Sequence, residues 1–310
     1  MKFQQLKNQY NAGAVDKQTY IREALAEHQR LFSYSSAIRE TDIREIIINS
    51  GGVSFVTGEE GILLFAPPNE SRVAPIEILN FDRYEPSETS VLDILGARSH
   101  RILDIGANIG WHALRLAKRR PDARVFAFEP VPATYEYLQR NVAANQLGGR
   151  ISTYNYALSE RSGATTLFIS PTHGTNASLA NVANAADVQE ITCVSMTIDQ
   201  WVENTGIIPD LIKCDVEGAE LMTFRGGYRT LSKNHPAILS ELLRKWSRPF
   251  GYHPNDMLHF FREIGYLSFG IDENGAHRVE SVNDETSATN FVFLHASSHK
   301  ALIDQLEAGT

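Results

Sequence analysis

Apolar residues recur at helical spacing over the first 50 residues, through TYIREALAEHQRLFSYSSAIRETDIREIII, and the pattern stops at NSGG. A period near 3.6 residues predicts amphipathic helices, so we expect an N-terminal helical appendage over residues 1–50. Two short β-like runs follow, VSFVT and GILLFAPP, separated by GEEG, a composition typical of a hairpin turn. Residues 51–97 are therefore predicted to form a β-hairpin and a linker into the core.

From about residue 98, short apolar runs alternate with amphipathic stretches: RILDIGA precedes WHALRLAKRR, RVFAFEP precedes ATYEYLQRNVAANQ, and DLIKCDV precedes ELMTFRGGYRTL. Strands separated by helices predict a parallel, doubly wound α/β sheet, here over residues 98–300. The last two β-like runs, YLSFGI and NFVFLHA, are expected to add an antiparallel edge. Residues 160–200, rich in Asn, Ala, Ser and Thr, are predicted to form a hairpin, a mobile loop and another strand.

The composition excludes several classes of protein. With 310 residues, 43% of them apolar, the chain can form a substantial core, and no apolar run approaches the roughly 20 residues that span a bilayer. The N-terminus lacks the apolar stretch of a signal peptide, so a cytoplasmic protein without membrane contact is expected. Two cysteines, Cys193 and Cys214, give no disulfide framework, and a net charge of −8 argues against a nucleic-acid partner.

The first strand of the α/β region ends in a glycine turn, Asp104-Ile-Gly106-Ala-Asn108-Ile-Gly110. Ligands of open α/β sheets bind beyond the carboxyl ends of the strands, and glycine there lets the backbone approach closely. A dinucleotide fingerprint needs a further glycine where Asn108 stands, which disfavours an NAD-dependent enzyme. Asp104 at the strand end repels a diphosphate and attracts an ammonium or sulfonium group.

The second strand ends at Glu129, nineteen residues after Gly110. A carboxylate at this place can accept hydrogen bonds from both hydroxyls of a ribose. Considered alone, Glu129 would be interpreted as a solvent-exposed carboxylate at the end of a strand. In order with the glycine turn across one β-α-β unit, it favours a nucleoside ligand.

The segments LDIGANIGWHAL, FEPVPATYEYLQRN, ALSERSG and DLIKCDVEGAELMTFRGG resemble the FkbM-type family of S-adenosylmethionine-dependent methyltransferases over about residues 80–296. The resemblance implies a Rossmann-like, seven-stranded class I methyltransferase sheet and O-methylation of a small molecule, a sugar or a polyketide-like natural product. It also implies which residues contact S-adenosylmethionine: Asp104, Gly106, Asn108 and Gly110 at the methionine part, Glu129 at the ribose, and Ala157, Leu158 and Ser159 at the adenine edge.

Methyl transfer to a hydroxyl requires an in-line geometry and removal of the hydroxyl proton by a general base or a divalent cation. Asp215 and Glu241 end neighbouring predicted strands and are the first catalytic candidates. Together with Glu217 they also supply oxygen donors suited to Mg²⁺. Three histidines are alternative bases: His173 and His253, in segments expected to border the pocket, and His112, which follows the glycine turn. The sequence does not decide whether a general base or a metal ion removes the hydroxyl proton.

Two competing classes of protein would bind the same cofactor through the same part of the site. A nucleic-acid base N-methyltransferase often carries an N/D-P-P-Y-type segment, where this chain has Asp215-Val-Glu217-Gly, and the net negative charge also disfavours it. A catalytically silent S-adenosylmethionine-binding protein would lack a working base. We expect a small hydroxylated acceptor. Residues 1–50 and the loop at 170–190 are expected to cover the acceptor pocket or, alternatively, to support a homodimer.

Overall fold

The computed structural model describes residues 2–170, 173–179, 189–272 and 275–308, without the side chains of residues 170, 173–177 and 246. The helices are α1 Lys2–Asn11, α2 Lys17–Ala37, α3 Ala74–Phe81, α4 Pro86–Gly96, α5 Trp111–Arg119, α6 Pro132–Ala144, α7 Ile198–Thr205, α8 Glu220–Arg225, α9 Tyr228–Asn234, α10 Arg244–Ser247, α11 Pro254–Glu263 and α12 Lys300–Ala308. The strands are β1 Ile43–Asn49, β2 Gly52–Thr57, β3 Ile62–Phe65, β4 Arg101–Ile105, β5 Arg124–Phe128, β6 Ile151–Tyr154, β7 Ala157–Leu158, β8 Gly163–Ser170, β9 His173–Ser178, β10 Gln189–Met196, β11 Leu211–Cys214, β12 Ala237–Glu241, β13 Tyr266–Asp272, β14 Gly275–Arg278 and β15 Asn290–His295. No helix in these ranges is both long and apolar enough to cross a membrane.

Eight of the described strands form the central sheet, in the order β14-β13-β15-β12-β11-β4-β5-β6. The five strands from β12 to β6 are parallel, and β15, β13 and β14 continue the sheet antiparallel. The predicted α/β class and its antiparallel edge are confirmed, and the short β14 adds a strand to the seven expected. Parallel strands are covered on both faces, which explains why β11 is buried at every residue.

The two largest apolar clusters of the described core lie one on each face of this sheet. Successive residues of β4 enter different clusters: Ile102 belongs to one, Leu103 and Ile105 to the other. This alternation is the period of two that a strand imposes on its side chains. Helices α5 and α6 pack on the first face, through Leu114 and Leu138 among others, so they fix the turns that follow β4 and β5.

The N-terminal prediction is partly wrong. Residues 2–11 and 17–37 are helical, but Ile43–Asn49 is a strand that pairs antiparallel with β2. The run IREIIIN is rich in β-branched residues, which favour a strand, and NSGG is the hairpin turn between β1 and β2 instead of a helix end. The GEEG hairpin is confirmed, as the turn between β2 and β3.

Two asparagines of α6 hold the edge of the small β1-β2-β3 sheet. Asn141 accepts a hydrogen bond from Phe65 N at 2.7 Å and donates to Phe65 O at 3.1 Å. Asn145 makes the same pair of bonds with Leu63, at 3.0 and 2.7 Å. The two amides thus replace a neighbouring strand, and they fasten the N-terminal sheet to the α/β core.

The insertion at 160–200 builds a second sheet, with the order β7-β10-β8-β9. The predicted hairpin corresponds to β8 and β9 and the predicted further strand to β10. Residues 180–188 of the expected loop lie outside the described residues. The two-residue strand β7 pairs parallel with the end of β10, which brings this sheet to the rim of the cavity described next.

Candidate functional site

A cavity opens at the carboxyl ends of β4, β5 and β11, the place where α/β sheets bind their ligands. The residues that follow these three strands form its floor, and the start of the insertion sheet forms one side. The residues that line it are Ala74, Tyr84, Ile105, Gly106, Ala107, Asn108, Ile109, Trp111, His112, Phe128, Glu129, Pro130, Tyr156, Ala157, Leu158, Leu167, Leu179, Lys213, Asp215, Val216, Glu217 and Ala219.

The glycine turn is shaped by close backbone contacts. Gly106 has φ +77°, and a Cβ there would lie 1.8 Å from the backbone oxygen of Asp215, so only glycine fits. Asn108 adopts φ +51°, a conformation that asparagine tolerates, and its side chain accepts a hydrogen bond from Ile109 N at 2.7 Å. A Cβ on Gly110 would lie 2.5 Å from Leu138, so this glycine permits α6 to pack on the turn.

Glu129 lies in the cavity wall and is 5% exposed. Its two carboxylate oxygens accept hydrogen bonds from Asn108 N at 3.0 Å and Val131 N at 2.9 Å. Burial raises the pKa of Glu129 to about 7, against these two hydrogen bonds, which lower it. Each oxygen keeps a second lone pair, so the carboxylate can accept two further hydrogen bonds from a ligand.

Asp104 does not line the cavity. It is fully buried beneath the turn, and neither of its carboxylate oxygens has a hydrogen-bond partner. The Lys213 ammonium lies 3.9 Å from Asp104 and 3.3 Å from Asp215. Burial alone would lower the pKa of Lys213, but Asp215 and Asp104 outweigh it and raise the pKa. The sequence analysis expected Asp104 to face a cationic ligand. Instead, the negative charge of Asp104 is balanced by Lys213 inside the protein.

Carboxylates gather beyond β11 and β12. Asp215 and Glu217 line the cavity, and the Asp215 side chain is 30% exposed. Burial, followed by the charge of Asp215, raises the pKa values of Glu217 and Glu241. Glu241 ends β12 but does not line the cavity.

The proposed magnesium ligands do not fit a metal site. Within the described ranges, no group of three His, Cys, Asp or Glu side chains is arranged to hold a metal ion. Asp215, Glu217 and Glu241 are near enough to influence one another electrostatically, yet they do not form a ligand set.

The sequence analysis predicted that three consecutive residues contact the adenine edge of the cofactor. Ala157 and Leu158 line the cavity, as expected for an apolar contact. Ser159 is buried outside the lining, where its N–H donates to Met196 O at 2.9 Å. Tyr156, which the sequence did not single out, lines the cavity instead.

Of the histidines named from the sequence as bases, His253 is placed away from the cavity. His253 is exposed and does not line it; its Nδ1 accepts a hydrogen bond from Asn255 N at 3.2 Å, so the ring caps α11. This geometry corrects its assignment as a catalytic base. The side chain of His173 lies outside the described part of the structure, and its role stays a prediction.

Three further residues that the sequence did not single out lie beside His112 on this side of the site. Tyr84 and Glu85 come from the turn before α4, and Trp111 and His112 begin α5. His112 Nε2 lies 2.9 Å from Glu85 Oε2. For His112 the signal was present, because it directly follows the glycine turn; Tyr84 and Glu85 carry no local signal, since they reach the site only through the packing of α4.

Comparison with known proteins agrees with this geometry. Residues 104–268, more than half of the chain, match the family model described as the methyltransferase FkbM domain. The matched region contains the glycine turn, Glu129 and the Asp215–Glu217 segment, but not Tyr84 or Glu85.

Three curated relatives are methyltransferases. AglP of Haloferax volcanii, a hexuronic acid methyltransferase, is 33% identical over 125 residues, which cover 40% of this chain and 48% of that protein. The 2-O-methyltransferase NoeI of Sinorhizobium fredii is 30% identical over 148 residues, 43% of this chain and 59% of that protein. Methyltransferase 1 of Beauveria bassiana is 29% identical over 143 residues, 40% of this chain and 57% of that protein. The chain thus spans about half to three fifths of the length of these relatives.

Proposed function

The chain belongs to the FkbM methyltransferase family, and on this premise we propose that it transfers a methyl group from S-adenosylmethionine to a hydroxyl of a small molecule. The observation that carries this proposal is the position of Glu129, whose carboxylate stands in the cavity wall beside the glycine turn with lone pairs left for two ligand hydroxyls. A ribose presents two adjacent hydroxyls and matches this acceptor.

The remaining lining is consistent with the rest of the donor. Phe128, Tyr156 and Leu158 give an apolar and aromatic surface next to Glu129, suited to the adenine ring. On the other side of the turn, Asn108 is a polar group for the methionine part. When bound, S-adenosylmethionine supplies an electrophilic methyl group on a positively charged sulfur.

We assign the removal of the hydroxyl proton to the carboxylates that follow β11. Asp215 and Glu217 both line the cavity, whereas Glu241 does not. After burial, the charge of Asp215 is the main cause that raises the pKa of Glu217, so the two carboxylates form an electrostatically linked pair. Asp215 is paired with Lys213 at 3.3 Å, which fixes its orientation at the cavity floor. Asp215 is the proposed base, and Glu217 is its neighbour in the same acidic pair.

A sugar hydroxyl is the acceptor we favour. Two of the relatives are, by their names, a hexuronic acid methyltransferase and a 2-O-methyltransferase. A polyketide-like hydroxyl is the alternative within the same reaction class.

Transfer of a labelled methyl group tests the function. The protein is incubated with methyl-labelled S-adenosylmethionine and a panel of sugars and hydroxylated natural products, and release of S-adenosylhomocysteine is measured. Replacing Asp215 by Asn should lower turnover by about 100-fold or more, the usual effect of losing a general base, and leave S-adenosylhomocysteine affinity within about threefold. Asp304→Asn, at an exposed site on α12, is the matched control and should keep full turnover. A fully active Asp215→Asn protein would exclude Asp215 as the base.

A chelator separates the base from a metal. Because the described carboxylates form no ligand group, we expect turnover to survive exhaustive treatment with EDTA. Loss of turnover that added Mg²⁺ restores would instead assign deprotonation to a metal-bound hydroxyl.

A further inference from the structure

We propose that Ser178, at the end of β9, is a positioning residue for methyl transfer, because it fixes the acid loop, residues 215–218, which carries the cavity carboxylates Asp215 and Glu217. This assignment rests on the proposed function and deepens it. It gives the insertion sheet, β7-β10-β8-β9, a role in the removal of the acceptor proton.

The contact is a hydrogen bond between two segments that lie far apart in the chain. Ser178 Oγ donates to the backbone oxygen of Glu217 at 2.8 Å. Ser178 is 1% exposed, so its loss would leave a buried acceptor that water does not readily satisfy. Glu217 lines the cavity, and so does Leu179, which directly follows Ser178. The bond therefore joins two walls of the same cavity.

The backbone conformation of Glu217 explains why this support matters. Glu217 has φ +55°, in the left-handed region that residues with a side chain rarely adopt. Relaxation to an ordinary, negative φ would turn the Cα–Cβ bond and carry the carboxylate away from its present direction. A hydrogen bond to the carbonyl oxygen opposes this rotation, because it fixes the peptide plane that follows Glu217.

The neighbouring backbone groups of the acid loop are held from within the α/β core. Val216 N and Gly218 N both donate to Glu220 Oε1, each at 3.0 Å. The Tyr252 hydroxyl donates to Gly218 O at 2.9 Å. The carbonyl of Glu217 lies between these fixed points, and it is the insertion sheet that holds it.

The insertion sheet presents Ser178 at a defined position. Ser178 pairs with Phe168 in the antiparallel register of β8 and β9. Leu179 packs on the apolar cluster that contains Leu167 and Ala157, and these three residues all line the cavity. A displacement of Ser178 would therefore disturb both strand pairing and apolar packing.

Proton removal depends on the exact place of the acid loop. The base must lie within hydrogen-bond reach of the acceptor hydroxyl, and a displacement of about 1 Å can lower turnover by about 100-fold. Among the described residues, Ser178 is not part of the cavity lining. Its loss should therefore slow the transfer step and leave the binding of the nucleoside unchanged.

Ser178→Ala, compared with Ser99→Ala, tests this role on the full chain. Both serines are buried and donate a hydrogen bond of 2.8 Å to a backbone oxygen; Ser99 donates to Leu95 O, before the amino end of β4 and away from the cavity. Both variants should lose a similar amount of thermal stability. Ser178→Ala should lower the turnover of methyl-labelled S-adenosylmethionine about 5- to 20-fold and leave S-adenosylhomocysteine affinity within about twofold, whereas Ser99→Ala should keep full turnover.

Hydrogen exchange followed by mass spectrometry reports on the acid loop directly and needs no acceptor. The N–H groups of Val216 and Gly218 should exchange at least about fivefold faster in Ser178→Ala than in wild type, and at the wild-type rate in Ser99→Ala. Unchanged exchange in Ser178→Ala would overturn the positioning role.

A double variant shows whether Ser178 acts through the acid loop. In an Asp215→Asn background, Ser178→Ala should lower the residual turnover by less than about twofold, because no base is left to position. Two losses that multiply would mean that Ser178 acts elsewhere, and would overturn the inference.

The outcomes separate this inference from the proposed function. A wild-type protein that transfers methyl groups to no acceptor overturns the proposed function, and with it the part of Ser178 in the reaction. A working enzyme whose turnover is unchanged in Ser178→Ala, or is lowered equally by Ser178→Ala and Ser99→Ala, overturns the inference alone.

Discussion

Glu129 is the residue on which the proposed recognition of the nucleoside depends. Its carboxylate is buried in the cavity wall and held by two backbone N–H groups, so it meets a ligand in a fixed orientation. Replacing it with Ala removes two hydrogen bonds to ribose, each worth about 1.5 kcal/mol or more when the acceptor is charged. We expect S-adenosylhomocysteine to bind at least about 100-fold more weakly by calorimetry.

The control for Glu129 lies nearby on α6. Glu136 is exposed, and Glu136→Ala should leave the affinity unchanged. Because Glu129→Ala also leaves two N–H groups without acceptors, its thermal unfolding is measured beside the titration. An unaltered affinity in a folded Glu129→Ala protein would remove the ribose assignment.

At the residue scale, the position of a residue in the sequence predicts for some residues that they line the cavity. For other residues it does not, and the reason is physical. Glu129 and the glycine turn were found because they follow buried strands at fixed places in a β-α-β unit. Asp104 has the same kind of position, but Lys213 from the adjacent strand turns it into a buried ion pair. A charge in one strand cannot be assigned to ligand binding before its cross-strand neighbour is known.

The contact between α6 and β3 is the element-scale feature that joins the two sheets. Asn141 is fully buried and bonds both backbone groups of Phe65, and it also donates to Ile109 O at 2.8 Å at the glycine turn. Asn141→Ala leaves buried backbone groups unpaired, at about 1–3 kcal/mol for each such group. We expect the free energy of unfolding in urea to fall by about 2–4 kcal/mol.

The matched control is Gln139→Ala, two residues earlier on the exposed side of α6, which should change stability by less than about 0.5 kcal/mol. Equal stability of the two variants would show that the asparagine bonds to β3 do not fasten the sheets together.

At the scale of elements, the parallel sheet was predictable and the first strand was not. The run RVFAF is apolar after its first residue, and LIKC is apolar except for Lys213, because both faces of these strands are covered. This pattern identifies buried parallel strands. Ile43–Asn49 follows helical residues without a break in its apolar spacing, so periodicity alone extended the helix into it. The pairing with β2, a non-local contact, decides the structure of that segment.

Stability of the whole molecule should depend on pH through its buried acids. Burial raises the pKa values of Glu129 and Glu220 to about 7, compared with 4.5 for an unperturbed glutamate, and raises those of Glu217 and Glu241 as well. In such a case the unfolded chain releases protons that the folded chain retains. The stability that these four glutamates contribute is fully present below pH 4.5, and it is lost as the pH rises through their folded-state pKa values.

One variant tests this dependence. Glu241→Gln keeps the size of the side chain and cannot ionise, so its free energy of unfolding should match wild type near pH 4.5 and exceed it at pH 8, by about 1 kcal/mol or more. Glu23→Gln, exposed on α2, should follow the wild-type curve throughout. A Glu241→Gln protein with the same pH slope as wild type would show that Glu241 ionises normally in the folded chain.

Considered as a whole, the site extends beyond the region that matches the family model. Residues 104–268 supply the glycine turn, Glu129 and the acids after β11. Ala74 and Tyr84, which precede that region, also line the cavity, and Glu85 fixes His112. Sequence motifs identify the chemistry of the sheet edge, but the packing of α3 and α4 against it decides which further residues reach the cavity.

A crystal structure of the chain with S-adenosylhomocysteine tests the central claim most directly. The account predicts the nucleoside at the carboxyl ends of β4 and β5, with both ribose hydroxyls within hydrogen-bond distance of Glu129 and the adenine against Leu158. Binding of the ligand elsewhere on the chain, or in this cavity with its ribose away from Glu129, would contradict it.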